Sequence, residues 1–86
     1  MGYIEQICQE LQRADDSTSK VIASLERERN GINMLMDRVQ RAFGDTREGQ
    51  ALVLTLNTAM KFLVDADSSL YQLQSLIKQN IGRIRN

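Results

Sequence analysis

Eighty-six residues make at most one small domain, and this one carries eleven basic and eleven acidic side chains, no histidine, no proline, no tryptophan and a single cysteine. Six basic residues face seven acidic ones before Gly44, and five face four from Gly44 onward, so neither half has the field that draws in nucleic acid or an anionic membrane. Without histidine, the common zinc sites and the Cys-His or Ser-His-Asp nucleophile systems cannot be assembled within the chain, and no cofactor or metal is expected. Cys8 cannot form an internal disulfide and, beside Ile7, reads as a small buried hydrophobe. No apolar run approaches the roughly eighteen residues of a membrane span. The start of the chain lacks a basic segment followed by an apolar one, so an ordinary signal peptide is not expected. The expected location is the cytoplasm, with any export by a signal-peptide-independent route.

From Ile4 onward the apolar residues recur in heptads. With Ile4 as position a, the a row is Ile4, Leu11, Thr18, Leu25, Ile32 and Val39. The d row is Ile7, Ala14, Val21, Glu28, Leu35 and Ala42, and e adds Cys8, Ile22, Met36 and Phe43. That a/d/e stripe is wider than a two-stranded seam and matches a bundle helix. No period-two alternation is sustained, so strands are not expected. Two stretches oppose a continuous helix. Asp15-Asp16-Ser17-Thr18-Ser19 offers short polar side chains that compete for the backbone, and Asn30-Gly31 is a turn signal elsewhere. The heptad phase passes unbroken through both, which favours one helix over residues 3–43, about 60 Å long at roughly 1.5 Å per residue.

The stop signal comes at Phe43-Gly44-Asp45. Gly44 has no Cβ and suits the left-handed conformation that ends a helix. Asp45, with Glu48 three residues on, has the form of a capping box for a second helix. The turn is therefore placed at 44–45 and the second helix at 46–84. Its a row is Leu56, Leu63, Leu70, Ile77 and Ile84; its d row is Leu52, Ala59, Ala66, Leu73 and Asn80. Met60 and Ile81 fall at e, Phe62 and Leu76 at g. A link this short makes the helices antiparallel neighbours, so residues 1–86 are expected to form one all-α helical hairpin. Lys78, Arg83 and Arg85 suit the negative end of the second helix dipole. The Asp15/Asp16 and Asp65/Asp67 pairs have no nucleophile or metal partner nearby and read as solvated surface.

Two helices cannot cover stripes this wide, and ordering each residue costs roughly 1.5 kcal/mol. A second hairpin, identical or different, completing a four-helix bundle is the economical solution. Between Ala51 and Val64 the second helix is apolar nearly all round, which places the partner surface in the turn-proximal half. The residues expected there are Met34, Met36, Phe43, Val53, Leu54, Met60, Phe62 and Val64, methionine being suited to adaptable contacts.

A small hairpin with Ala42-Phe43-Gly44 at its midpoint bend resembles the WXG-type substrates and partners of bacterial type VII secretion. Phe43 stands where that family has tryptophan, Gly44 or Asp45 where it has the remainder, and Gln50-Ala51-Leu52 matches the small-then-apolar opening of its second helix. The aromatic and the glycine are adjacent here, so the motif itself is incomplete. The family's Tyr-x-x-x-Asp/Glu export signal is also missing, since Tyr71 is followed at the fourth place by Ser75. The resemblance therefore implies a non-enzymatic partner or targeting factor that binds the helical N-terminal region of an LXG-type toxin. Two other classes fit a hairpin of this size. One is a homo-oligomeric structural or adaptor bundle, such as a needle subunit or phage component. The other is an RNA-binding four-helix bundle, which the absence of a basic stripe opposes.

Overall fold

The computed structural model describes residues 2–85. Helix α1 spans Tyr3–Phe43 and helix α2 spans Arg47–Arg85, and these are the only regular elements among the described residues. They lie side by side, antiparallel, as a rod measuring 64 × 14 × 13 Å. The radius of gyration is 19.3 Å, where a compact chain of this length would have about 12 Å.

α1 runs without interruption through both unfavourable stretches. At Asp15–Ser19 two of the competing hydroxyls are occupied, while Asp15 Oδ1 is buried without a hydrogen-bond partner. Thr18 Oγ1 donates to the Ala14 carbonyl one turn back at 2.7 Å. Gln74 Nε2, reaching from α2, donates to Ser19 Oγ at 2.7 Å and to the Asp15 carbonyl at 3.4 Å. Residues that would unravel an isolated helix thus form a polar layer tying it to its neighbour. Gly31 lies inside the helix with no atom within 4 Å of where a Cβ would stand.

The turn differs from its expected form in two respects. Gly44 has φ 56° and ψ −134°, a positive φ but not the left-handed helical conformation. The Thr46 amide donates to the Phe43 carbonyl at 3.1 Å. With glycine at the first central position, this is the geometry of a type II′ turn, which reverses the chain in fewer residues than a left-handed cap would. The cap of α2 is also not Asp45 with Glu48. Thr46 Oγ1 accepts the Gly49 amide at 3.1 Å, so Thr46 stays outside the helix and α2 starts at Arg47, one residue later than expected. Its far end extends one residue beyond expectation, to Arg85.

Between the helices the seam uses heptad positions a and e. The buried residues are Cys8, Thr18 and Ile22 in α1 and Gly49, Asp67 and Ile77 in α2, and every one occupies an a or e position. Leu11, Leu25, Ile32, Met36 and Val39 meet Val53, Leu56, Met60, Leu63 and Leu70 as half-buried neighbours along the same line. Most of the d rows, expected inside, point out, Ile7 and Ala59 being the half-buried exceptions. Val21, Leu35, Leu52 and Leu73 are all more than two-fifths exposed. The reason is geometric. A two-helix seam covers an arc of about two adjacent heptad rows, and e lies 40° from a on one side while d lies 60° away on the other.

A candidate protein-binding face

Cross-helix bonds fix which sides of the two helices go together. Tyr71 donates its phenol to Glu26 Oε1 at 3.4 Å, both residues at b, and Ser19, which accepts from Gln74, is also at b. The two b rows therefore share one side of the rod. In an antiparallel pair joined through a and e, the two d rows, with g beside them, then share the opposite side. That side carries Val21, Leu35, Leu52, Leu73, Phe62 and Leu76, the last two 69% and 55% exposed. Its charged residues are few: Glu10, Glu28 and Arg38 on α1, Glu48 and Arg83 on α2.

The exposed area can be weighed against a compact protein. The chain exposes 6644 Å², where a compact 9.8 kDa monomer would expose about 5,200 Å². The excess of about 1,400 Å² exceeds the roughly 800 Å² each partner gives up in a standard interface. Isolated exposed leucines are ordinary; exposed apolar side chains gathered on one side of a rod are the feature that marks binding surfaces.

The eight residues expected at a partner surface are distributed over every side. Met36, Val53 and Met60 occupy e positions and are half-buried in the seam between the helices. Phe43 ends α1 against Gly49 and is 43% exposed. Leu54 at f borders an open hollow of about 350 Å³ beside Gly44, Asp45 and Gly49. Val64 at b lies on the polar edge, and Met34 at c faces away from α2; both are exposed. Of the eight, only Phe62 joins the d/g face. Exposed apolar side chains extend from Tyr3 and Ile4 to Leu76, so exposure does not single out the turn-proximal half. The exposed d-row residues were expected inside the hairpin, and the signal for their exposure was present in the heptads: three apolar rows per helix and only one neighbour.

The polar side holds the titratable chemistry. Asp67 is buried, with one carboxylate oxygen 3.3 Å from Arg29 Nη1 and the other without a hydrogen-bond partner. An ion pair between apolar layers fixes register more than it adds stability. The Tyr71 phenol is raised above its ordinary value, first by lost hydration along the helix pair and then by the Glu26 and Asp67 carboxylates, against a lowering pull from Arg29. Cys8 is a free, buried thiol. No group of three histidine, cysteine, aspartate or glutamate side chains is placed to hold a metal ion among the described residues, and none of their helices is long and apolar enough to cross a membrane.

No protein-family model, curated protein or solved structure matches the chain.

Proposed function

We propose that this protein is a non-enzymatic binding hairpin, half of a four-helix bundle whose other half is a helical protein docked on the d/g face. The observation that carries the reading is the set of apolar side chains, Val21, Leu35, Leu52, Leu73, Phe62 and Leu76, left exposed on one side when the helices meet through a and e. Helices with an apolar stripe bury it against something, and the opposite side of the rod is already closed by polar bonds. The turn-centred resemblance to WXG-type proteins narrows the partner to the helical N-terminal region of an LXG-type toxin, with this chain acting as its targeting partner in type VII secretion. Tyr71 supports the accessory role: its hydroxyl is engaged with Glu26 on the polar side, and no acidic residue follows at the fourth place.

The test is to mix the purified hairpin with the N-terminal region of an LXG-type toxin encoded beside it and to follow co-elution. A stoichiometric complex is expected, lost in Phe62→Asp with Leu73→Asp and retained in Gln72→Glu, which changes a residue off the d/g face. Absence of a complex at micromolar concentrations, or loss of binding through Gln72→Glu alone, would overturn the reading.

A further inference from the structure

We infer that, before any other partner arrives, the d/g face is closed by a second copy of this chain, with both turns at the same end of the dimer and α1 of each copy lying on α2 of the other. The inference rests on the reading of that face as a docking surface and adds the identity and direction of its occupant. Two observations carry it: the register of the hairpin, and the distribution of size and charge along its g rows.

Ser19 bonds to Gln74 and Arg29 to Asp67, so residues of α1 and α2 whose numbers add to about 94 lie at one height along the rod. A two-fold axis along the rod sets the g row of α1 beside the g row of α2 from the other copy, height for height. Three contacts then become complementary. Gly31 meets Phe62, Ser17 meets Leu76, and Glu10 meets Arg83. Phe62 and Leu76 are the large exposed residues of the α2 row, while Gly31 offers open space where a side chain would stand. A glycine inside a helix is destabilising relative to alanine, and nothing within the hairpin uses the one at Gly31; a facing phenylalanine does. Glu10 pairs within its own helix to Arg13 at 3.0 Å, with both side chains about three-quarters or seven-tenths exposed. Such a pair is weak enough to exchange for Arg83.

The alternative two-fold, across the rod, puts α1 on α1 and α2 on α2. It still brings Glu10 to an arginine, Arg38, but sets the small row Ser17, Ser24 and Gly31 against itself and crowds Phe62 toward Leu76. One edge would be left hollow and the other overfilled, each a packing cost.

Serine-to-cysteine variants at the middle of the rod separate these arrangements, with Cys8→Ala alone as the control for the one seam residue changed. Ser24→Cys and Ser69→Cys chains, each in a Cys8→Ala background, are co-refolded singly and as a mixture, then joined by a short bis-maleimide. Covalent dimers are expected in the mixture alone, and sedimentation of wild type is expected to give a dimer at micromolar concentration. Gly31→Leu should weaken the dimer at least tenfold, and Phe62→Ala added to it should restore most of that loss. Cross-linking of Ser24→Cys with itself would overturn the direction, and a wild-type monomer would overturn the self-pairing. Failure of the toxin-partner reading is separately visible: a stable dimer that the toxin region neither opens nor binds.

Discussion

The two long sides of this hairpin are built from the same two helices, yet one is closed and the other open. On the b side Tyr71 reaches Glu26, and Gln74 reaches Ser19 and the Asp15 carbonyl, so polar groups find partners within the chain. On the d/g side Val21, Leu35, Leu73, Phe62 and Leu76 stay in water. The difference teaches how a heptad is shared out. Each helix carries three apolar rows, a single neighbour covers two, and the chain gives that neighbour a and e. The third row keeps its hydrophobic surface exposed.

The largest test of the comparison sets a seam residue against an outer one. Ile77 is 5% exposed at an a position. Ile77→Ala should cost about 2–4 kcal/mol, from lost burial and the void left behind, and should do so at any protein concentration. Leu73→Ala, at d, should lower Tm only where hairpins associate, because a dissociated hairpin leaves that side chain 44% exposed. Thermal melts across a hundredfold dilution series would check both. Equal, concentration-independent losses would mean that d is buried within the hairpin after all.

Next in size are the glycines of the turn, which holds the helices in the one rotation that opens d. A Cβ on Gly49 would stand 2.8 Å from the Phe43 Cβ and 2.9 Å from the Gly44 carbonyl oxygen. Gly49→Ala is therefore expected to destabilise by about 1–3 kcal/mol, since neither neighbour is the end of a flexible side chain. Gly44→Val should cost a comparable amount, because φ 56° with ψ −134° is a conformation few residues but glycine adopt. Gly82→Ala runs the other way. It lies in α2 with no atom within 4 Å of its Cβ position, so urea unfolding should show a gain of about 0.5–1 kcal/mol.

Much of the fold is legible in the residues themselves. The heptad phase carries through Thr18 and Ile32, and the turn is marked by Gly44. Two things were not legible. The choice between d and e as partner to a depends on how the turn rotates the helices, and that rotation is set by a type II′ geometry at Gly44 and the close approach at Gly49. Gly49 itself gave only a faint signal, a glycine one turn into a helix. The candidate face was harder to read for the same reason. Met36, Val53 and Met60 look like partner contacts by composition, and only the rotation shows that they turn into the seam between the two helices.

A smaller effect is expected from the ion pair that sets register on the closed side. Arg29→Leu leaves the buried Asp67 carboxylate without its cation and should cost about 1–2 kcal/mol, held down by the partial exposure of Arg29. Arg29→Leu combined with Asp67→Leu should recover most of it, since a well-packed apolar pair can replace an ionic one. If the double substitution is as unstable as the single, the pair contributes stability beyond register.

The smallest effect is the most specific to the closed side, and it is read from alkaline pH. Tyr71 has its phenol raised above the ordinary value of 10.0 by lost hydration and by the Glu26 and Asp67 carboxylates. The folded chain therefore holds that proton more tightly than the unfolded chain does. The sign follows by linkage: the contribution is fully present below the unfolded value and is lost as pH rises through the folded one. Stability should thus fall above about pH 10, and Tyr71→Phe should reduce the slope of that fall by removing the titrating group. Glu26→Gln should reduce it partly, because it removes one carboxylate and weakens the acceptor of the phenol. The measurement is urea unfolding at a series of pH values from neutral to about 11, with the ultraviolet titration of tyrosine recorded alongside. Identical alkaline slopes in wild type, Tyr71→Phe and Glu26→Gln would mean that the Tyr71–Glu26 contact does not hold the two b rows together in solution, and the assignment of d to the open side would lose one of its two supports.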